Sequence, residues 1–573
     1  MPPAATQFPA RDVSAFLAVA LPLLLARSAV PDSVFYNQVA ACAGWALWLL
    51  LGRGAGAGRI AGLEPAVAAL ALCLAFAGVG LDRGQAAPAL LLAAALAVLV
   101  ASARRGSGST EAMAWAWLVG GLACVVVALL QYFAPSLADG WLVAVNGSPG
   151  RAIGNLRQPN HLATALLCAI VMTAWLWHAG RLRSIGAGAA IVAMVLAVAL
   201  SASRTGALSL GVLLLWALLD RSLPRAARWT LALTPLAYLL FWGALAEYAL
   251  WQQAHFYAAE RLQSSGDISS SRFAIWRNAL SLVAQNPWTG VGWGNFNFAW
   301  TFTPFPDRPV AFFDHTHNLP LQLAVEIGVP ATAAVLGLLA WALWRARGAL
   351  RVDAQAPGHP GRAVFVMLVV LAVHSLLEYP LWYAYFLLPA AWALGVLVGS
   401  AAPASAATDP RARATAQAPA RSAGEAWASG LAGVLMLAGA VYATWDHLRI
   451  EAIYAPAPGA PPLGLRIAEG RSSLLFGHHA DYAAVTNPPR DPAISSFRRP
   501  LHQLVDVRLL IAYIEALRAE GRTDAALYAA QRLREFRRDD AQAYFAACTP
   551  QNPALPFQCE TKPVALNWRD LEP

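Results

Sequence analysis

Apolar runs of about membrane-spanning length recur through most of this chain and restrict its fold more than any other feature. A helix needs ~20 predominantly apolar residues to cross the hydrocarbon core of a bilayer. With 58% hydrophobic and 13% charged residues overall, the pattern predicts an all-α polytopic membrane protein with about 13 transmembrane helices. The runs begin near Val13, Val34, Pro65, Ala87, Met113, His161, Ile185, Ala207, Leu231, Leu319, Ala363, Trp382 and Trp427.

Arginine residues set the expected orientation, because the cytoplasmic loops of membrane proteins are enriched in basic residues. We expect the first apolar run to act as a signal anchor, since it lacks a convincing signal-peptidase site. If the N-terminus is cytoplasmic, the cytoplasmic loops hold Arg53, Arg59, Arg104, Arg105, Arg181, Arg183, Arg221, Arg225, Arg228, Arg345, Arg347, Arg351, Arg362, Arg411, Arg413 and Arg421. The outward-facing segments are then 134–160, 201–205, 247–318, 374–382 and the residues after about 447.

The net charge of +9 is therefore mostly a topology signal, and it argues against a nucleic-acid partner. Cys548 and Cys559 lie in the polar C-terminal segment, where a short disulfide-closed loop and two free thiols are both open alternatives. The other cysteines fall within apolar runs and are expected to be buried thiols. They are Cys42, Cys73, Cys124 and Cys168.

Changes in composition divide the chain into segments. Polar runs and turns predict a large ordered periplasmic loop, whereas a stretch rich in Ala, Pro, Ser and Thr predicts a flexible linker. Near the C-terminus, helical periodicity on both sides of Gly521 predicts a hairpin like one tetratricopeptide repeat (TPR). The predicted segments are a transmembrane core (1–399) containing the periplasmic loop (about 247–318), a cytoplasmic linker (400–424), a last transmembrane helix (425–447) and a periplasmic helical domain (448–573).

Polar residues at the predicted outer surface are the candidates for chemistry. Arg204 can be a surface arginine that reaches lipid headgroups, but outward arginines in so short a loop are uncommon. A metal site is an alternative for the two histidines beside Asp314, although no ligand set of recognised spacing is present. The candidates form four clusters: Arg151–His161, Ser203–Gly206, Ser270–Arg277, and Asp314–Asn318 together with His374, Glu378 and Tyr379.

Two outward arginines and a histidine suit transfer of a sugar from a lipid-linked diphosphate. The planar guanidinium of arginine matches phosphate oxygens, so Arg204 and Arg272 are expected to stabilise charge on a leaving diphosphate. A neutral histidine can take the proton of an acceptor hydroxyl that attacks the anomeric carbon. The predicted reaction is glycosyl transfer without a nucleotide or another cofactor.

Short motifs across about residues 140–390 resemble those of one family. His317-Asn318 and Gly328 match the ligase pattern of His, then Asn, Ser or Gln, nine residues and Gly. The other matching motifs are Gly154–His161, Ser203–Thr205, Ser271–Trp276, Asn286–Phe296 and Leu377–Leu381. With these motifs the chain resembles the bacterial O-oligosaccharyltransferases, the PglL-type protein O-glycosylation ligases, which are related to O-antigen ligases and O-antigen polymerases.

The resemblance implies a metal-independent membrane glycosyltransferase of GT-C type. Such an enzyme moves a preassembled glycan from undecaprenyl diphosphate to a hydroxyl group. It implies that His317 is the catalytic base, with His315 as its rival, and that Arg204 and Arg272 bind the diphosphate. The candidate substrate-binding residues are Arg157, Gln158, Asn160, Arg277, His315, Asn318 and Tyr379.

The acceptor is the open question within this resemblance. Our first choice is a Ser or Thr of a pilin or another periplasmic protein, with the enzyme in the bacterial inner membrane and its site facing the periplasm. The lipid A core is second, and a growing glycan chain is third. From another class, a secondary transporter fits the number of spans, but transporters usually place ionisable groups near mid-membrane, whereas the polar residues here gather at one surface.

Overall fold

The structure is a computed structural model that describes residues 10–52, 62–147, 150–253, 272–306, 308–351, 358–401, 423–549, 551–552 and 555–573. Within these ranges the regular elements are helices, which confirms the prediction of an all-α protein. The longer α-helices are α1 (Ala10–Leu24), α2 (Phe35–Leu51), α3 (Leu63–Val79), α4 (Ala86–Arg105), α5 (Thr110–Phe133), α6 (Pro159–His178), α7 (Ser184–Leu200), α8 (Arg204–Leu219), α9 (Arg225–Ala232), α10 (Thr234–Trp251), α11 (Arg272–Gln285), α12 (Phe296–Phe302), α13 (Leu319–Arg345), α14 (Gly361–Ser375), α15 (Ala384–Gly399), α16 (Ala423–Tyr454), α17 (Leu463–Arg471), α18 (Gly477–Thr486), α19 (Val507–Ala519) and α20 (Thr523–Glu535).

Several of these helices have the length and apolar composition of membrane spans. Among the described residues, five helices qualify, and six qualify if the bent pair α9 and α10 is a single span. Shorter apolar helices of 10–17 residues accompany them. The polytopic class is therefore confirmed, and the count of about 13 spans stays a prediction.

Backbone contacts divide the chain into two compact units. The predicted periplasmic loop contributes mainly to the second unit, and the predicted C-terminal domain also belongs to it. The segment boundaries read from composition stay predictions, and residues 402–422 of the predicted linker lie outside the described residues. The first unit comprises Met1–Ala71, Leu91–Ser264 and Gly337–Tyr442, and the second comprises Leu72–Leu90, Ser265–Leu336 and Ala443–Pro573.

Helix α6 is the most deeply buried helix of membrane-spanning length in the described part of the first unit. Pro159 occupies its first turn, and the Gln158 side chain caps its backbone N–H groups, as is favourable at a helix start. Small residues let the neighbouring helices approach closely. A Cβ atom at Gly121 of α5 would lie 2.5 Å from the Cβ of Ala169 in α6. This packing fixes the start of α6, where several candidate residues lie.

Loops that the arginine pattern assigns to the same side are in contact within the first unit. Arg362 pairs with Asp220, and Arg181 pairs with Glu111 at 3.1 Å. All four residues lie in or beside loops predicted to be cytoplasmic. At the other ends of α6, α8 and α14, the polar candidate segments meet one another. These contacts agree with the prediction that successive loops alternate between two sides of the membrane. Which side faces the cytoplasm stays a prediction.

The second unit has a core rich in aromatic residues that joins the predicted loop to the C-terminal helices. Trp300 of α12 packs edge to face against Phe536 with ring centroids 5.7 Å apart. Arg308, whose side chain is 1% exposed, lies 3.1 Å from Glu535 of α20 and 4.9 Å from the Trp300 ring centroid. Burial of this ion pair against aromatic rings attaches the loop segment to α20.

The C-terminal part of the second unit contains the helices expected from periodicity. α19 and α20 pack as a hairpin and are separated by Gly521, whose φ of 79° is a left-handed conformation that glycine adopts readily. Their assignment as a TPR-like repeat stays a prediction. Cys548 and Cys559 form a disulfide, which is one of the two alternatives that their spacing allowed. Of the cysteines in apolar runs, Cys42 is partly buried, and the other three are buried.

Candidate functional site

Glu378, which follows α14, accepts hydrogen bonds from two candidate residues at the start of α6. Its Oε2 accepts from Gln158 Nε2 at 2.8 Å, and its Oε1 accepts from Asn160 Nδ2 at 2.7 Å. The Gln158 Oε1 accepts from the backbone N–H groups of Asn160 and His161. Both ends of the Gln158 amide therefore have partners in the protein. Direct contact between Gln158 and substrate stays a prediction.

The same hydrogen-bonded network extends from Asn160 to the first turn of α8. Ser203 Oγ donates to Asn160 Oδ1 at 2.6 Å and accepts from the Gly206 N–H at 2.9 Å, as the N-cap of α8. Arg204 is the first residue of this helix, and its side chain is exposed. Helix N-termini favour anions because their N–H groups and dipole point toward the ligand. Arg204 is therefore well placed for a phosphate group.

His161, His374 and Glu378 form a buried cluster whose potential ligand atoms lie within 4.8 Å of one another. Two histidines and a glutamate can bind Zn²⁺. Here His161 Nδ1 lies 3.0 Å from the Tyr385 hydroxyl, and His374 Nδ1 lies 2.9 Å from the Thr164 hydroxyl. Glu378 Oε2 lies 3.3 Å from His374 Nε2, and the two Glu378 oxygens also accept amide N–H groups, so each member of the cluster already has hydrogen-bond partners within the protein. The cluster therefore fits a hydrogen-bonded network better than a metal centre.

Arg157 and Tyr379 lie beside this network in the sequence. Arg157 has a left-handed φ of 54°, and its guanidinium donates to the Ala26 carbonyl beyond the end of α1. Tyr379 stacks on Tyr383 with ring centroids 6.2 Å apart. Arg157 thus supports the turn that precedes α6, whereas Tyr379 contributes an aromatic, partly buried surface. Their roles as substrate ligands stay predictions.

In the second unit, hydrogen bonds to Thr316 hold the segment that carries the two candidate histidines. The Thr316 N–H donates to Gln322 Oε1 at 2.8 Å, and its carbonyl accepts from the Trp276 indole N–H at 3.0 Å. Asn318 Oδ1 accepts from the Leu321 N–H at 3.0 Å, which is a capping bond at the start of α13. Asn318 therefore has a structural role here, in addition to its predicted contact with substrate.

The two histidines have different surroundings. His317 has a left-handed φ of 55°, which is uncommon outside glycine, and its ring packs edge to face against Phe313 at 5.7 Å. His315 Nδ1 lies 3.0 Å from Asp314 Oδ1. The Asp314 side chain is more than half exposed. Desolvation by neighbouring protein atoms opposes its charge, but its interactions with His315 outweigh that desolvation and lower the pKa of this carboxyl to about 2. A carboxylate can orient a histidine base, so His315 is still the rival of His317.

Gly328 of the family pattern is the site of a kink in α13. Its φ of 78° and ψ of 165° are essentially restricted to glycine. A Cβ atom at this position would lie 2.3 Å from the Trp288 carbonyl oxygen, and the next N–H, of Val329, donates to the Pro287 carbonyl at 2.8 Å. The kink therefore lets the turn after α11 pack directly on α13. It comes nearly three helical turns after Asn318, with nine residues between the two positions.

Glu326, a buried residue of α13, was not among the predicted site residues. Its backbone carbonyl accepts from the Gly292 N–H at 2.9 Å, and its carboxylate interacts with the Phe296 N–H at 3.5 Å and with Gln322. Gln322 in turn holds Thr316. Glu326 thereby links the glycine-rich turn to the histidine segment. In the sequence, the signal that points to Glu326 is a single carboxylate within an apolar run.

Arg272 and Arg277 lie on α11, which is attached to the histidine segment through Trp276. The described part of this helix begins at Arg272, which is partly buried, whereas Arg277 is exposed. Ser270 and Ser271 of the same cluster lie outside the described residues. The structure therefore gathers the candidates into two groups. Arg157, Gln158, Asn160, Arg204 and Tyr379 belong to the first unit, and Arg272, Arg277, His315, His317 and Asn318 belong to the second.

Comparison with known proteins gives three family matches and two similar proteins. Residues 152–177 match Protein glycosylation ligase, residues 189–336 match O-Antigen ligase, and residues 363–549 match Virulence factor membrane-bound polymerase, C-terminal. The chain is 26% identical over 273 residues to a General O-oligosaccharyltransferase of Acinetobacter baylyi, covering 45% of this chain and 46% of that protein. It is 26% identical over 257 residues to a ComP-specific O-oligosaccharyltransferase of the same organism, covering 43% and 44%.

The matched regions thus span just under half the length of each relative. The family matches include the start of α6, the first turn of α8 and the segment from His317 to Gly328, which carry the motifs singled out in the sequence. By its motifs, its family matches and its relatives, this multi-pass membrane protein is similar to the protein O-oligosaccharyltransferases of the O-antigen ligase superfamily.

Proposed function

We propose that this protein is a glycosyltransferase that moves a preassembled oligosaccharide from undecaprenyl diphosphate to a Ser or Thr hydroxyl of a periplasmic protein such as a pilin. It acts in the bacterial inner membrane, with its site facing the periplasm. The observation that carries the proposal is the position of Arg204, an exposed residue that begins α8, in a chain similar to O-oligosaccharyltransferases. An anion-binding arginine at a helix start suits a diphosphate leaving group.

The donor half of the reaction depends on positive charge. Arg204 and Arg272 bind the diphosphate and stabilise the charge that develops as the bond from the anomeric carbon to the diphosphate oxygen breaks. The diphosphate keeps the electron pair of that bond. Both arginines carry permanent charge at physiological pH, so this half of the reaction requires no ATP.

The acceptor half depends on a histidine. The acceptor hydroxyl oxygen forms the new bond to the anomeric carbon, and His317 takes the hydroxyl proton as general base. The segment is held by hydrogen bonds to Gln322 and Trp276, which supports a fixed position for the histidine. Phe313 packs against its ring and limits its rotation. The other proposed substrate-binding residues are Gln158, Asn160, Tyr379, Arg157, Arg277, His315 and Asn318.

Two other acceptors have support in the family matches. The O-Antigen ligase match over residues 189–336 favours transfer to the lipid A core as the second candidate. The Virulence factor membrane-bound polymerase match over residues 363–549 favours chain elongation as the third. We place the protein acceptor first because both relatives have names that describe O-oligosaccharyltransferases. Residues 152–177 also match a protein glycosylation ligase.

The acceptor is tested by giving the purified protein one lipid-linked glycan and three alternative acceptors. These are a pilin peptide containing Ser and Thr, a lipid A core, and no added acceptor, and the products are identified by mass. We expect the peptide to gain one intact glycan. A glycan found only on the lipid A core would replace the proposal with ligase activity, and glycan chains lengthening without an acceptor would replace it with polymerisation.

A further inference from the structure

We propose that Glu378 is a positioning residue that fixes the first turn of α8, and with it Arg204, through Asn160 and Ser203. The hydrogen bonds run from Asn160 to Glu378, from Ser203 to Asn160 and from the Gly206 N–H to Ser203. We call these bonds the Glu378 relay. The inference rests on the proposed function only for the role of Arg204 as a diphosphate ligand.

Glu378 has a role in this relay that few side chains can fill. It receives the Gln158 amide on one oxygen at 2.8 Å and the Asn160 amide on the other at 2.7 Å. An ionised carboxylate accepts hydrogen bonds on both oxygens and donates none. Glu378 is 8% exposed, and hydrogen bonds to a charged acceptor are strong where water is excluded.

The two amides that face Glu378 have fixed directions. The Gln158 oxygen caps the start of α6, so its N–H₂ group must point toward Glu378. The Asn160 oxygen accepts a hydrogen bond from the Ser203 hydroxyl, so the Asn160 N–H₂ group must also point toward Glu378. A glutamine at position 378 would offer one oxygen and one N–H₂ group. Glu378→Gln therefore preserves the side-chain size but places two donors against each other.

The last step of the relay connects this chemistry to Arg204. The Ser203 hydroxyl donates a hydrogen bond to Asn160 Oδ1. The lone pairs of the Ser203 oxygen are then available to accept a hydrogen bond from the Gly206 N–H. That bond caps α8 and sets the direction of its first residue, Arg204. Glu378 thus acts through other residues, and the relay requires no contact between Glu378 and the substrate.

A charge swap tests the relay. In the double variant Glu378→Gln/Asn160→Asp, the new amide at position 378 can accept from Gln158 and donate to the new carboxylate at position 160. That carboxylate can still accept a hydrogen bond from the Ser203 hydroxyl. Every hydrogen bond of the relay is therefore restored, with the negative charge moved by one residue. The single variant Glu378→Gln lacks this compensation.

The test uses two measurements on the wild-type protein and its variants. They are the amide hydrogen exchange of Gly206 and the steady-state transfer of the lipid-linked glycan. For Glu378→Gln we expect about tenfold faster exchange and about a tenfold higher KM for the donor, the factor expected from one lost charged hydrogen bond. We expect a smaller change in kcat. The swap should restore Gly206 exchange to within about threefold, and in a Ser203→Ala background it should not. The donor KM is compared only between the wild-type protein and Glu378→Gln, because Asn160 belongs to the proposed substrate-binding residues.

The outcomes separate the relay from the proposed function. Unchanged Gly206 exchange in a folded Glu378→Gln protein would overturn the relay, and so would a swap that restores nothing when Ser203 is present. If Glu378→Gln does not fold, Ser203→Ala must by itself accelerate Gly206 exchange, or the relay is wrong. If the wild-type protein transfers glycan to no acceptor, the proposed function falls, and the exchange data alone decide the relay.

Discussion

At the residue scale, Gly328 shows how one backbone position organises the segment that carries His317. Its φ of 78° ends the first part of α13, and its missing side chain makes room for the Trp288 carbonyl. The turn after α11 then reaches α13 through the bond from the Val329 N–H to the Pro287 carbonyl. The glycine in the family pattern is therefore a packing requirement, and it is distinct from the chemistry assigned to the histidine.

Gly328→Ala is expected to destabilise the second unit by about 3 kcal/mol, because it adds a strained backbone to a severe contact. Gly337→Ala, in the same helix, is the matched control, since a Cβ atom at that position meets nothing within 4 Å. The control should be neutral or stabilise by up to about 1 kcal/mol. Thermal unfolding of both purified variants measures the difference. Equal melting temperatures would contradict the role assigned to Gly328.

Residues with long-range partners mark the limit of what one sequence reveals. Motifs selected Gln158 and Asn160 as candidates, but the bonding of their amides to Glu378 was not predicted. Glu378 is 220 residues away from Gln158 along the chain, and such a contact leaves no local pattern. The disulfide between Cys548 and Cys559 joins residues only 11 positions apart, yet the sequence does not predict it, because spacing alone does not fix the geometry that a disulfide requires.

At the element scale, α18 carries two adjacent histidines whose rings lie 4.2 Å apart. Burial lowers the pKa of His479 to about 3 and the pKa of His478 well below its ordinary value. Both side chains therefore bind protons less readily in the folded protein than in the unfolded chain, where histidine has a pKa of about 6.5. The stability that depends on their neutral forms is complete above that pH and is lost as the pH falls toward the folded pKa values.

Helix α18 should therefore lose protection as the solution is acidified from pH 7 to pH 5. Below its unfolded pKa, each histidine lowers the free energy of opening α18 by about 1.4 kcal/mol for each pH unit. Hydrogen exchange of the α18 amides, corrected for the intrinsic effect of pH, measures the slope. His479→Gln should reduce it, whereas His315→Gln, elsewhere in the second unit, should not. A slope of zero in the wild-type protein would contradict the buried neutral state.

Whole helices were easier to predict than their ends. The apolar runs that begin near His161 and Ala207 correspond to α6 and α8, because hydrophobic length is a property of many residues together. The helix starts depend on single capping side chains such as Gln158 and Ser203. Both capping residues belong to the sequence motifs. Their role as caps depends on the backbone N–H groups that they accept, and the motifs alone do not predict those partners.

At the scale of the whole molecule, the candidate residues are divided between two compact units. The first unit presents Arg204 at the start of α8, and the second holds Arg272 and the two histidines. Hydropathy and arginine placement predicted a polytopic protein with these residues at one surface. The division into units was not foreseen, because it depends on aromatic contacts such as Trp300 with Phe536, which join distant parts of the chain.

The central claim is that His317 is the base in glycan transfer from a lipid-linked diphosphate to an acceptor hydroxyl. Its most direct test is the transfer rate of purified His317→Ala, with His315→Ala as the matched variant two residues away. We expect His317→Ala to remain folded and to lose at least about 100-fold in kcat, the range for a general base, whereas His315→Ala keeps most of its kcat. A His317→Ala protein that transfers glycan at the wild-type rate would contradict the account.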